Sequence, residues 1–500
     1  MMYSSSRGAA EAVPAAQAIK MGIAPDGGLF VPDHIPQIDS DTLTSFGKMF
    51  YAERAERILS LYLQDFSPGE IARCVRAAYN SGSFDDASIA PLVPLEAGVF
   101  VQELWHGPTC AFKDMALQIL PHLMTTSAAK TGETDEIVVL VATSGDTGKA
   151  ALEGFKDVDG IRIVVFYPQD GVSEVQKRQM VTQTGKNVMV AAVEGNFDDA
   201  QNGVKQIFAD PEFNGKLASH GMKMSSANSI NWGRLVPQIV YYVSAYADLL
   251  AGGHISPGEE INVVVPTGNF GNILAAYYAR KMGIPIHRLI CASNINYVLT
   301  EFINSGIYDR RRDFARTISP SMDILISSNL ERLLFEVTGH DAGKVANWMR
   351  DLQTQGRYEV DDEVKQQIQA VFWGGYASDE ETKATIRSVW ENSGYLLDTH
   401  TAVGVNVYQK YLGASGDHTV TIIASTANPY KFSQSVAEAI IGSDRLSGMD
   451  EFAIAQALEE YTGKPIPAAL RDIEKRPILH RTVCPKQAMG RVVLDYLQIG

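Results

Sequence analysis

Cysteine is scarce. The 500 residues hold four, Cys74, Cys110, Cys291 and Cys484, and no two of them form a C-x-x-C pair. So wide a spacing indicates neither a disulfide framework nor a zinc site, and it fits a reducing compartment with no metal expected. Long apolar runs are missing as well: no stretch approaches the ~20 residues needed to cross a bilayer. Met1 to Ala18 lacks a basic segment followed by an apolar one, so it does not read as a secretory signal. The cytoplasm is the expected location. Basic clusters are equally few. The net charge is −15, and the nearest cluster, Arg310, Arg311 and Arg312, is flanked by Asp309 and Asp313. That is a solvated mixed-charge surface, not a footprint for nucleic acid or an anionic membrane. An acidic chain still binds a small anion where one pocket gathers enough donors.

What is present is the balance of a soluble globular protein, with 45% hydrophobic and 20% charged residues. The length predicts several domains. Residues 1–92 read as a first unit, with the loop Ala24–Gly28, helical patterns around Thr42–Leu63 and Pro68–Asn80, and a linker over Asn80–Asp86. From residue 93 to about 440, strands and helices alternate. The runs Ile137–Val141, Ile161–Tyr167, Val188–Val193, Asn262–Val265 and Thr419–Ile423 are apolar on both faces. Such runs suit parallel strands covered by helices, so the fold class is α/β. A smaller nested subdomain is expected over about 138–225 and a mostly helical insertion over about 300–395, including Leu325–Val337 and Ala342–Gln353. Residues 441–500 read as a peripheral helical segment.

Three segments share one local grammar: Ile137–Phe155, Ile261–Gly283 and Val420–Ile440. Each runs from an apolar strand, through a turn of Ser, Thr, Gly or Asn, into a helix start. Helix N-termini present unpaired N–H groups, and ligands gather beyond the carboxyl ends of parallel strands. One such loop is weak evidence, since every strand-to-helix connection needs a turn; three are more telling. A Walker loop fails on the letters, because Thr143 stands where the first Gly is required and Ala150 follows Lys149. A dinucleotide fingerprint fails too, since only Gly268 and Gly271 are present. A smaller phosphate remains.

The segment Glu103–Leu120 places Lys113 at the start of an apolar-periodic helix, after Gly107 and Pro108 and between Phe112 and Asp114. A lysine at a helix end ordinarily reaches out to water. One that projects into a cleft sheds its proton more readily and forms Schiff bases.

Here the letters resemble a family. Gly107–Asp114 (GPTCAFKD) resembles the lysine motif of fold-type II pyridoxal-phosphate enzymes in the form seen in threonine synthases. Ala24–Pro32, Ala142–Gly148, Asn228–Leu235, Pro266–Asn272 and Ser425–Phe432 follow in the family's order. Cys110 departs from the usual Leu, a change that packing tolerates. The resemblance is to the longer bacterial and fungal form. It implies the tryptophan synthase β-like architecture, parallel sheets flanked by helices, with an added N-terminal domain and helical insertion.

It also implies pyridoxal 5′-phosphate carried on Lys113, whose freed amine shuttles protons. Gly268, Asn269, Phe270, Gly271 and Asn272 would hold the cofactor phosphate, Thr426 would approach the pyridine nitrogen, and Asp146 would face the cofactor. Thr143, Ser144 and Thr147 would lie over the amino-acid end of the substrate, and Asn228, Ser229 and Arg234 would contact its phosphate. The implied reaction turns O-phospho-L-homoserine and water into L-threonine and phosphate. The alternatives are a phospho-lyase releasing 2-oxobutyrate and a non-catalytic cofactor-binding regulator. A monomer or homodimer is expected, with no nucleic-acid or membrane partner.

Overall fold

The computed structural model describes residues 1–143, 145–169 and 172–500. Two sheets organise it. The larger has the strand order Phe372–Tyr376, Ile286–Ser293, Ile261–Pro266, Thr421–Ser425, Val99–Glu103, Leu92–Glu96. Its neighbours pair in parallel except the last two, which are antiparallel. The smaller is parallel throughout, in the order Thr482–Pro485, Val188–Glu194, Ile161–Pro168, Glu136–Ala142, Met222–Ser225. The β-branched runs form the inner strands because helices cover both sheet faces and leave no polar side. Strand Ile261–Pro266 is buried at every position. No helix among the described residues is long and apolar enough to cross a membrane.

The topology places the loops that matter. Strands Ile261–Pro266, Thr421–Ser425 and Val99–Glu103 lie side by side and point the same way. Their carboxyl ends therefore deliver the 267–270 loop, Thr426 and the Lys113 segment to one edge. Strand Glu136–Ala142 of the smaller sheet delivers Thr143 and Asp146 opposite them.

Four expectations are revised. The helical pattern around Thr42–Leu63 is two helices, Ser40–Phe46 and Tyr51–Tyr62. Between them Gly47 lies against the Trp232–Ala251 helix, where an added Cβ would be 3.0 Å from Ala251 Cβ. The chain restarts with Glu53 accepting from Phe50 N–H (2.8 Å). The helix read from Leu325 begins at Leu330, because Ser327 Oγ donates to Gly268 O (2.8 Å) and Asn329 N–H to Asn269 O (3.1 Å). The preceding residues are thus committed to the loop beneath them.

The 300–395 region is mostly helical, yet it also supplies the antiparallel pair Ile307–Asp309 and Arg357–Glu359 and the edge strand Phe372–Tyr376 of the larger sheet. The segment read as peripheral supplies Thr482–Pro485, an edge strand of the smaller sheet, and the helix Met489–Leu497 packs beneath it. Both edge strands are short and carry Gly or Pro, so neither shows the continuous apolar run that marks an inner strand.

The helix Asp146–Phe155 meets the helix Asp114–Leu117 at Gly154, where an added Cβ would stand 2.0 Å from Leu117 O. Alanine is the better helix former by ~1 kcal/mol, but it cannot fit against a backbone oxygen at that distance. Gly154→Ala is expected to destabilise by about 1–3 kcal/mol. A thermal midpoint equal to or above that of the wild type would show that the two helices are not packed as described.

Candidate active site

The lysine motif folds as a tight loop with a reason for each residue. Cys110 N–H donates to Gly107 O (3.1 Å), and Cys110 takes a left-handed φ of 59°. Gly107 is obligatory because an added Cβ would lie 2.4 Å from Asp114 Cβ. Asp114 is buried and accepts from Thr109 N–H (2.8 Å) and Thr109 Oγ1 (2.7 Å), which pins the loop to the helix start. Burial pushes the Asp114 carboxyl up to about 6, against the pull of those two donors. Residues 110–112 are zipped to 426–428: Phe112 N–H donates to Thr426 O (2.8 Å) and Asn428 N–H to Cys110 O (3.0 Å).

Lys113 thereby points between the sheets. Its side chain is 12% exposed, and Nζ lies 3.4 Å from Ser321 Oγ and 3.9 Å from Asp146 Oδ2. Burial brings the amine down to about 8; Asp146 opposes that shift, and Lys431 and Arg234 add to it. Asp146 opens its helix and is buried, pairing with Lys431 Nζ (2.8 Å) and accepting from Gln176 Nε2 (2.8 Å). Burial works to raise its carboxyl, but Lys431 and Lys113 prevail and hold it well below the usual carboxylate range.

The 268–272 loop leads into the helix Gly271–Lys281 through Phe270, left-handed at φ 65°, and no side chain caps this helix among the described residues. Its N–H groups and dipole thus face the cleft without a protein acceptor from a cap. Asn272 is buried, accepts from Tyr241 OH (2.9 Å) and Tyr242 OH, and leaves its Nδ2 without a partner. Gly268 passes so close to the Pro320–Met322 turn that an added Cβ would meet Ser321 O at 2.5 Å. Ser321 N–H in turn donates to His400 Nε2 (3.2 Å), and His400 Nδ1 faces Asp398 Oδ1 (3.0 Å). This resembles a nucleophilic triad by letter only, since the histidine holds the serine's backbone and not its hydroxyl.

Arg234, 3% exposed, donates from Nη1 to Ala227 O (2.7 Å) and keeps Nε unpaired. Burial brings its guanidinium down to about 10. Asn329 Nδ2 ties the two phosphate candidates together, donating to Ser229 O (3.2 Å) and Asn269 O (3.1 Å). Asn228 is exposed, and Thr147 is half-buried in the first turn of its helix. Thr143 is buried, and its Oγ1 accepts from Gly145 N–H (3.0 Å) and Gly148 N–H (2.9 Å), so it serves the turn. Ser144 lies outside the described residues.

Lys113, Asp146, Thr426, the 268–272 loop, Ser229 and Arg234 therefore converge. Sequence reasoning missed Lys431, Gln176, Ser321, His400 and Asn329. Lys431 was within reach, since it lies inside the Ser425–Phe432 motif; the others carry no local signal. A buried guanidinium with a free Nε, a buried amide with a free Nδ2 and an uncapped helix start around a lysine are the donors that a phosphorylated aldehyde and a phosphorylated substrate need. The residues fit pyridoxal phosphate.

Comparison with known proteins agrees. Residues 2–79 match the family described as threonine synthase N terminus, 86–361 that of pyridoxal-phosphate dependent enzymes, and 401–492 that of threonine synthase, C-terminal. Threonine synthase from Pseudomonas aeruginosa is 40% identical over 443 residues, 88% of this chain and 91% of that one. Human threonine synthase-like 1 is 42% identical over 435 residues, 85% of this chain, and the chain spans 58% of that protein's length. The crystal structure of pyridoxal-phosphate-bound threonine synthase from Brucella melitensis is similar at a TM-score of 0.88 and 38% identity, covering 100% of this chain and 99% of that one.

Proposed function

The chain belongs to the threonine synthase family of pyridoxal-phosphate-dependent enzymes, and on that premise we propose that it converts O-phospho-L-homoserine and water into L-threonine and phosphate. The observation that carries the reading is the buried Lys113 amine, its proton affinity brought down to about 8, beside an uncapped helix N-terminus and an Arg234 whose Nε has no partner.

Bound to Lys113, the cofactor supplies an electron sink at Cα of the amino acid. Lys113, once freed, takes the Cα proton, and loss of a Cβ proton lets phosphate leave from Cγ. Protonation at Cγ, addition of water at Cβ and return of the Cα proton complete the product. Gly268, Asn269, Phe270, Gly271 and Asn272 would hold the cofactor phosphate through the N–H groups of the uncapped helix start. Thr426 offers the ring nitrogen a neutral hydroxyl. A neutral partner makes a weaker sink than a carboxylate, so the rate rests on placement of base and leaving group. Asp146 and Thr147 border the amino-acid end in this reading; Thr143 shapes the turn that carries them, and Ser144, the remaining candidate there, lies outside the described residues. Asn228, Ser229 and Arg234 take the substrate phosphate, for which a planar, permanently charged guanidinium is suited. The smaller sheet's unit, which presents Asp146 to Lys113, would exclude bulk water from the reacting carbons.

The 42% identity to threonine synthase-like 1 leaves room for one second reading, a phospho-lyase. It uses the same residues up to phosphate loss and then lets the product hydrolyse. Incubating the holoenzyme with O-phospho-L-homoserine separates them. Equal yields of threonine and phosphate are expected. Phosphate with 2-oxobutyrate and ammonia, and no threonine, would replace the synthase reading by the lyase. Bound cofactor without any turnover would leave a regulator.

A further inference from the structure

Lys431 follows strand Thr421–Ser425 in the turn Pro429–Phe432 and has no exposed surface. Its ammonium donates to Thr109 O (2.8 Å) and pairs with Asp146 Oδ1 (2.8 Å). It thus joins the lysine loop, the smaller sheet's helix and its own turn. A buried ammonium persists only where it is well partnered, and these partners meet that need. The same Oδ1 also accepts from Gln176 Nε2 (2.8 Å). Asp146 Oδ2 faces Lys113 Nζ at 3.9 Å, beyond a hydrogen bond. The carboxylate is near enough for Lys113 to feel its charge and too far to hold its proton.

We propose that Lys431 is a positioning residue for the base of the reaction: it engages Asp146 so that the Lys113 amine is not locked in a tight ion pair. The inference rests on the reading of Lys113 as cofactor lysine and base. The charged groups around Lys113 are Asp146 across the cleft, Lys431 from the Pro429–Phe432 turn on its own side, Arg234 from the Trp232–Ala251 helix, and Asp114 beside it. Behind them Lys149 and Glu153 pair with each other at 2.8 Å. Lys431 lowers the proton affinity of Lys113 and Asp146 raises it. Removing Lys431 therefore acts twice: it deletes a repelling charge, and it frees a buried carboxylate to close on Lys113. Removing the Asp146 charge acts in the opposite sense.

The test is a pH titration of the holoenzyme's visible absorption, which reports the nitrogen of Lys113 bound to the cofactor, alongside the pH profile of kcat/KM. Lys431→Met is expected to move the midpoint up by about one pH unit or more. Asp146→Asn is expected to move it down, and the double variant to return it towards the wild type. A structural role alone gives no such cancellation. A midpoint unmoved in Lys431→Met, or a double variant as displaced as that single one, overturns the proposal. If Lys431→Met fails to fold, Asp146→Asn and the double variant decide, since the double must titrate above Asp146→Asn. A wild type with no visible band overturns the cofactor reading and this one together; a normal band with an unmoved midpoint overturns this one alone.

Discussion

Replacing Lys113 by alanine is expected to abolish turnover of O-phospho-L-homoserine and the visible band of the holoenzyme together. The lysine serves twice in the proposed reaction, as the covalent tether of the cofactor and as the base at Cα. A positioned general base contributes ~10²–10⁴-fold by itself, and loss of the tether adds to that. Lys113→Arg is the sharper variant. It keeps a cation opposite Asp146, 3.9 Å away in the wild type, but a guanidinium does not give up its proton or form a Schiff base. It is expected to fold and to remain inactive. Activity in Lys113→Arg within tenfold of the wild type would move the base elsewhere, and Lys149, also buried and with its ammonium brought down by burial, would be the residue to examine.

Arg234→Gln should separate the two phosphates. Arg234 is buried, gives one bond from Nη1 to Ala227 O and leaves Nε unpaired, and the proposed partner of that free donor is the substrate phosphate. A hydrogen bond to a charged group is worth about 1.5–3 kcal/mol, roughly a 10–150-fold change in binding. KM for O-phospho-L-homoserine is expected to rise by that factor, while the visible band is retained because the proposed seat of the cofactor phosphate is the 268–272 loop. Loss of the band with KM little changed would assign Arg234 to the cofactor and leave the substrate phosphate without its main cation.

Much of this was legible in the letters, and the reason is physical. Inner parallel strands must be apolar on both faces, so Ile137–Val141, Ile161–Tyr167 and Asn262–Val265 announce themselves. Loops after such strands keep their residues consecutive, so the Gly107–Asp114 and Pro266–Asn272 motifs that carry the family resemblance could be recognised in the letters. Edge strands answer to no such demand, which hid Phe372–Tyr376 and Thr482–Pro485. The contacts that set the charge balance of the site were hidden for another reason. Lys431 and Asp146 lie far apart in the chain and meet only because one follows the larger sheet and the other the smaller. Nothing in the neighbours of either states that pairing. Ser321 lay in a stretch read as helical insertion, and its place over Gly268 depends on the Pro320–Met322 turn and on His400.

The strand Thr421–Ser425 comes late in the sequence, yet it lies in the middle of the larger sheet, bonded on one side to Ile261–Pro266 and on the other to Val99–Glu103. A growing chain that has not yet reached Thr421 therefore holds two part-sheets, each with an open inner edge of the kind that invites pairing with another chain. The Lys113 loop is on one part and the 268–272 loop on the other. On the proposed roles of these loops, neither half binds the cofactor at both its aldehyde and its phosphate until the late strand has entered between them. Capture of the cofactor is in this sense a signal that synthesis and folding have passed residue 425.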